Sequence, residues 1–156
     1  MISYSSAVLV TEHFDLMRRF YENVLGQKVK YGFGGCVQFE CGLSIWYPVQ
    51  GHPVRKALDR TDCEGNAALE LCFEAEDFDA QAARVTAMGV MLAHGMIEEN
   101  WGQRTLRFFD PDGNLVELGE SMPAFCRRLR QVGMTVEEVA KKTGIDQNYV
   151  KHFLSS

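Results

Sequence analysis

Hydrophobic and polar positions along the chain change period at regular intervals, and the order of those changes repeats. Residues 4–10 are apolar and rich in β-branched types, which predicts a strand. From Phe14 the apolar positions Phe14, Met17, Tyr21, Val24 and Leu25 fall at helical spacing, with Gly26 placed to end the helix. Three strand patterns follow at residues 28–33, 36–40 and 43–47, separated by glycines.

The second half returns to the same order. In residues 67–73, Leu69, Leu71 and Phe73 alternate with Ala68, Glu70 and Cys72, as a half-buried strand requires. Residues 76–88 carry Phe78, Ala82, Val85 and Met88 on one helical stripe, and Gly89 ends it. Residues 90–93, 103–109 and 114–119 supply three more strands. The last two are joined by Asp110-Pro111-Asp112-Gly113, a turn with proline at its second position. A shift of 64 lays Glu12, Phe14 and Asp15 on Glu76, Phe78 and Asp79, and a shift of 71 lays Gly42 on Gly113. The repeated order predicts an α+β fold built from a duplicated β-α-β-β-β unit. Residues 50–66, with Gly51, Pro53 and Gly65, form the linker and are a candidate lid or crossover.

Residues 121–156 lie outside the repeat. Ser121-Met122-Pro123 opens a helix that Gly133 ends, Thr135 to Glu138 is a capping box, Gly144 stops the second helix and Asp146 caps a third. Residues 134–150 resemble a helix-turn-helix core, with Ala140, Gly144 and Val150 at the close-packing and turn positions. That resemblance would make Gln147, Asn148 and Lys151 the recognition residues. Residues 121–156 hold six Lys or Arg against three acids. The same small-residue pattern serves any steeply packed helix pair, so a cap over a cavity or a dimer seam is the competing reading.

Composition narrows the picture modestly. A length of 156 residues suits one domain with a small appendage, and 46% hydrophobic residues can bury a core. The net charge of -5 argues against nucleic acid as the main partner. There is no run of 18 apolar residues to cross a membrane and no basic-then-apolar leader, so the expected location is cytoplasmic. The five cysteines are odd in number and lack C-x-x-C spacing, which predicts reduced thiols rather than a disulfide framework or a zinc site.

Two motifs point to a family. Phe20-Tyr21-Glu22-Asn23-Val24-Leu25-Gly26 resembles the F-Y-x-x-x-L-G helix ending of the glyoxalase / bleomycin-resistance / dioxygenase (vicinal oxygen chelate) superfamily. Phe109-Asp110-Pro111-Asp112-Gly113-Asn114-Leu115-Val116-Glu117-Leu118 resembles its closing hairpin. The resemblance implies a domain over residues 1–120, with modules at 1–49 and 67–120 forming a cupped open sheet. Residues 121–156 are then a helical extension, and a homodimer is expected. It also implies a divalent metal held by the first and last strands of each module, usually by histidine and glutamate. Carried over residue by residue, those positions hold Ser6, Trp46, Glu70 and Glu117.

This set lacks imidazole, which suits Fe, Ni, Co and Zn, and tryptophan has no lone pair to give. Glu70 and Glu117 remain as ligands for a hard ion such as Mg or Mn, with Zn also considered. They are also a possible acid/base pair, since neighbouring carboxylates raise one another's pKa. The competing reading of Glu117 is a salt bridge. Counting back from the Asp110–Gly113 turn places Arg104 on its face. Trp46, with Phe39, Trp101 and Phe108, is a candidate aromatic lining, although strand aromatics are more often core. Ser6 and Arg104 complete the candidate ligand contacts. His13, His52, His94 and His152 fall on no ligand position and read as surface residues.

The expected function is therefore binding of a small, aromatic or amphipathic organic molecule without a transition metal or other cofactor. A metal-dependent lyase or isomerase of the glyoxalase type is the alternative. A ligand-responsive DNA binder acting through residues 134–154 is the second.

Overall fold

In the computed structural model the first apolar run forms strand β1 (Ala7–Val10), and it feeds helix α1 (Phe14–Arg19). The helix continues as a π-helical turn over Phe20–Val24. There the Leu25 amide reaches back five residues to the Phe20 carbonyl at 3.3 Å. The wider turn lets the sequence neighbours Phe20 and Tyr21 both be buried, their rings edge to face at 5.4 Å. Gly26 follows with φ 64°, the left-handed end expected of it. Strands β2 (Val29–Phe33), β3 (Cys36–Phe39) and β4 (Leu43–Trp46) complete the first module.

The second module repeats this order with β5 (Glu70–Ala75), α2 (Phe78–Ala87), β6 (Met91–Glu98), β7 (Arg104–Phe109) and β8 (Leu115–Glu120). Each module is one four-stranded mixed sheet, ordered β1-β4-β3-β2 and β5-β8-β7-β6. In each, the first and last strands pair in parallel and the other neighbours pair antiparallel. Strand β6 is longer than its sequence suggests. It runs through Gly95 because register shifts on either side of His94 absorb the irregularity.

The structure describes residues 5–33, 35–53 and 69–155. Most of the expected linker at 50–66, and Cys63 with it, lies outside those residues. The chain divides into two compact units: Met1–Leu69 with Asp110–Gly113, and Glu70–Phe109 with Asn114–Ser156. In the first unit Met17, Tyr21, Val37, Phe39 and Ile45 are buried together with Leu9 and Leu43. Tyr21 of the F-Y motif donates its hydroxyl to Asp110 Oδ2 at 2.8 Å, so the two signature motifs meet at one buried hydrogen bond. In the second unit Phe78 and Val85 of α2 are buried along with Leu106, Phe108, Val116 and Leu118.

The same unit carries three C-terminal helices, α3 (Met122–Gln131), α4 (Val136–Thr143) and α5 (Gln147–Ser155). Their caps are those read from the sequence. Ser121 accepts from the Ala124 amide, Thr135 and Glu138 close a capping box, and Asp146 Oδ1 accepts from the Asn148 amide at 2.8 Å. Among the described residues, Cys36, Cys41, Cys72 and Cys126 are free thiols. No described helix is long and apolar enough to cross a membrane.

Candidate functional site

The register of the second sheet builds a polar row across all four strands. Cys72 pairs with Glu117, Glu117 with Arg107, and Arg107 with His94, so the four side chains leave the sheet on one face. Glu70, two residues before Cys72, shares that face. Arg107 gathers the carboxylates. Its Nε donates to Glu70 Oε1 at 2.6 Å, its Nη1 to Glu99 Oε1 at 2.6 Å, and its Nη2 to Glu117 Oε2. Thr105 adds a hydroxyl donor to Glu99 at 3.0 Å, and His94 Nε2 lies 3.4 Å from Arg107 Nη1.

Three carboxylates around one guanidinium leave the cluster anionic by two when His94 is neutral. Burial, opposed by Arg107 and reinforced by the charges of Glu70 and Glu99, pushes the Glu117 carboxyl above the usual range. Hydrogen bonds from Arg107 and then Thr105, against a desolvation penalty, hold Glu99 below it. Burial, Glu117 and Glu70 raise the Cys72 thiol, keeping it protonated at neutral pH. Apolar groups flank the row on the same face. Ladder partners Met91 and Phe109, with Leu115 beside them, stand on one side, and Ile97 opposite Thr105 stands on the other.

The register corrects one expectation. Arg104 does not share a face with Glu117, because the β7–β8 ladder sets Arg107, not Leu106, opposite it. A one-residue difference in pairing turns every side chain over. Arg104 points to the other face, where it donates to Glu120 from its amide, Nε and Nη2, and to Asp79 at 2.8 Å. Arg128 grips the same buried Glu120 through Nε at 2.7 Å and Nη2 at 2.8 Å. This second ionic knot lines a cleft of about 330 Å³ beside α2 and α3.

Two of the residues expected as aromatic lining are core instead. Phe39 is buried on the α1 side of its sheet, its ring 5.8 Å from Tyr21, and Phe108 is buried on the face of Leu106 and Val116. Both follow strand alternation, which gives those positions to the core. Trp101 stands in the β6–β7 turn, 42% exposed, with its indole N–H donating to Gln103 at 3.1 Å. Trp46 is half-buried at the end of β4, edge to face with His52 at 4.9 Å.

The parallel ladders also revise the match between halves. Glu117 stands opposite Cys72, two residues past Glu70, whereas Trp46 stands opposite Val10, four residues past Ser6. The residue related to Ser6 as Glu117 is to Glu70 is Ser44, which is buried opposite Val8. Anchoring on turn glycines located the bends and not the pairing of last strand with first. A cleft of about 490 Å³ does occur in the first unit, but it is lined by Glu12, Phe14, Leu16, Arg19 and Tyr47 and not by the expected site residues.

Comparison with known proteins settles the family. The model for the glyoxalase-like domain matches residues 4–123, most of the chain and both signature motifs. This chain belongs to the glyoxalase-like family. Residues 124–156 of the glyoxalase-like chain lie beyond the matched stretch. A solved protein of unknown function from Agrobacterium tumefaciens str. C58 is 32% identical over 78% of this chain and 96% of its own, with a TM-score of 0.65. A lactoylglutathione lyase from Agrobacterium tumefaciens is 24% identical, covering 78% and 95% at a TM-score of 0.56. A glyoxalase/bleomycin resistance protein/dioxygenase from Nocardioides is 19% identical, covering 77% and 83% at 0.57. The last two likenesses are of fold. Among curated proteins, none matches.

The metal that glyoxalase-like folds often hold fits this donor set poorly. Glu70 and Glu117 are the carboxylates at the ligand positions, and both are already bound to the guanidinium of Arg107. Ser44 is a neutral hydroxyl and Trp46 has no lone pair for a cation. Among the described residues no group of three or more His, Cys, Asp or Glu side chains is arranged to hold an ion. Arg107 and Glu99 were not singled out in the sequence, and His94, read there as a surface residue, is half-buried opposite Arg107. Only a correct β7–β8 register could have found Arg107.

Proposed function

We propose that the glyoxalase-like chain binds a small amphipathic organic molecule carrying a protonated amine, on the polar row of its second sheet and without a transition metal. One observation carries this reading. Arg107 occupies the ground between Glu70 and Glu117, yet leaves their cluster with surplus negative charge. A cationic or donor-rich group is the complement of that surplus, and Glu70, with its side chain 33% exposed, is the carboxylate open to it. Met91, Phe109 and Ile97 beside the row offer apolar contact for the rest of such a molecule. Chemically, the site holds its ligand by ion pairing and burial and forms no covalent bond.

The test is thermal stabilisation and calorimetry with aryl-alkyl amines, each beside its neutral amide counterpart. Amines should raise the melting temperature and amides should not, and Glu70→Gln should weaken amine binding at least tenfold, about 1.4 kcal/mol. Equal response to amine and amide, or unchanged affinity in Glu70→Gln, refutes the reading. A second reading, a glyoxalase-type lyase or isomerase, draws on the Glu117 carboxyl, whose burial favours its protonated form over that of an ordinary carboxylate. Exchange of a substrate C–H proton with deuterated solvent, lost in Glu117→Gln, would favour it over simple binding.

A further inference from the structure

We propose that the three C-terminal helices form a helix-turn-helix that docks on duplex DNA, with α5 as the reading helix. The sequence pattern alone fits any steep helix pair, and the structure adds three things to it. First, the helices share a core of their own. Phe125, Leu129, Val139 and Val150 are buried together, with Ala140 and Phe153 packed against them. Gly144 makes the turn at φ 75°, a conformation L side chains resist, and α5 begins three residues later.

Second, α5 divides cleanly. Val150 and Phe153 face the core, while Gln147, Asn148, Tyr149 and Lys151 are exposed along its first turns. Those are the positions from which a reading helix meets base edges. Amide side chains match adenine, and lysine matches guanine or phosphate. A seam with a second copy would want an apolar patch there, and this face offers one exposed tyrosine among polar groups.

Third, the charge is split. Residues 121–156 carry +3 within a chain of -5, so residues 1–120 carry -8. Like charge on residues 1–120 repels phosphate, while residues 121–156 attract it. The unit is also fixed in place rather than tethered. Arg128 donates to the Gly102 carbonyl at 2.5 Å and to Glu120, Arg127 pairs with Glu76, and Lys142 lies 3.9 Å from Glu98. These contacts engage α3 and α4 and leave the exposed face of α5 uncommitted to the sheet.

The experiment is fluorescence anisotropy of full-length protein with a labelled random-sequence duplex about three helical turns long. At about 50 mM salt, saturable binding is expected in the micromolar range, weakening along a log–log salt slope of about -2 to -3. Lys151→Glu combined with Lys141→Glu, at an exposed position of α4, should weaken it at least tenfold while circular dichroism and melting stay as in the wild type. Gln147→Ala with Asn148→Ala should leave random-duplex affinity within about twofold but abolish the preference recovered by selection from a random pool. Absence of binding at about 100 µM protein in about 50 mM salt, where even the weak limit of non-specific affinity would show, overturns the proposal. So does binding indifferent to the lysine reversals. Lysine reversals that dissociate a protein dimer without any DNA binding would make this face a self-association seam and overturn it equally. None of these outcomes bears on amine binding at the Arg107 cluster, which Glu70→Gln tests separately.

Discussion

Arg107 on β7 is the ladder partner of Glu117 on β8, and its guanidinium holds that carboxylate. The same guanidinium bonds to Glu70 and Glu99, and it is only 19% exposed. Against its own desolvation, the hydrogen bonds to Glu99 and Glu70 and the charge of Glu117 keep it firmly protonated. Arg107→Ala leaves three half-buried carboxylates facing one another without their cation. Partial exposure tempers the cost, which is expected at about 2 kcal/mol, or about 4–8 °C of melting temperature. Urea denaturation at neutral pH measures it, and a loss under about 0.5 kcal/mol, the level of an ordinary surface substitution, would show the cluster is not structural.

Glu120 gives a pH-dependent case with a definite sign. Despite a desolvation penalty, hydrogen bonds from Arg128 and Arg104 hold its carboxyl below the usual carboxylate range. A depressed carboxyl contributes stability that is present above the unfolded pKa and is lost as pH falls through the folded one. Glu120→Gln, at a side chain 2% exposed, should therefore cost about 3 kcal/mol at pH 7. The gap to the wild type should close as pH falls below about 4.5. A gap of constant size across that range would mean the charge of Glu120 does not matter.

How much of this was legible beforehand depends on which physical signal each residue rests on. The period changes placed the strands and helices of both modules to within about three residues, the far end of β6 excepted, because half-buried elements must alternate or recur at helical spacing. The caps at Ser121, Thr135 and Asp146 were readable because short-range hydrogen bonding fixes them. Register was not readable. Arg104 and Arg107 differ by three positions and so by face, and the turn at Asp110–Gly113 does not reveal which one meets Glu117. For the same reason Trp46 stood in for Ser44, and the bulged β6 concealed that His94 faces Arg107. Phe39 and Phe108 were open to either face until pairing assigned them to the core.

Tyr21 tests the meeting of the two signature motifs. Its hydroxyl is buried and donates to Asp110, and burial first, then the charge of Asp110, drives the phenol far above its ordinary pKa. The phenol thus stays a donor across the neutral range. Tyr21→Phe keeps the ring packing against Phe20 and Phe39 and removes only the hydrogen bond. The expected loss is about 2 kcal/mol, since the acceptor is a buried carboxylate. Chemical denaturation with an unchanged m-value is the check, and a neutral result would mean Asp110 is satisfied without the phenol.

The last expectation concerns what Arg107 displaces. If its guanidinium stands where a divalent ion would otherwise balance Glu70 and Glu117, wild-type protein has no vacancy for the ion. Mg²⁺, Mn²⁺ or Zn²⁺ should then leave the wild-type melting temperature unmoved after chelator treatment. Arg107→Ala frees both carboxylates and Glu99 from the guanidinium that now holds them apart, so that they can close on a hard cation, which takes oxygen donors. In that variant Mn²⁺ or Mg²⁺ at about a hundred times its dissociation constant should restore about 2.7 kcal/mol, roughly the stability the substitution removed. Arg107→Ala combined with Glu117→Gln should lose the response, because the site then keeps too few anionic oxygens. Stabilisation of the wild type by metal, or a variant indifferent to it, would mean that Arg107 is not the cation in the metal's place.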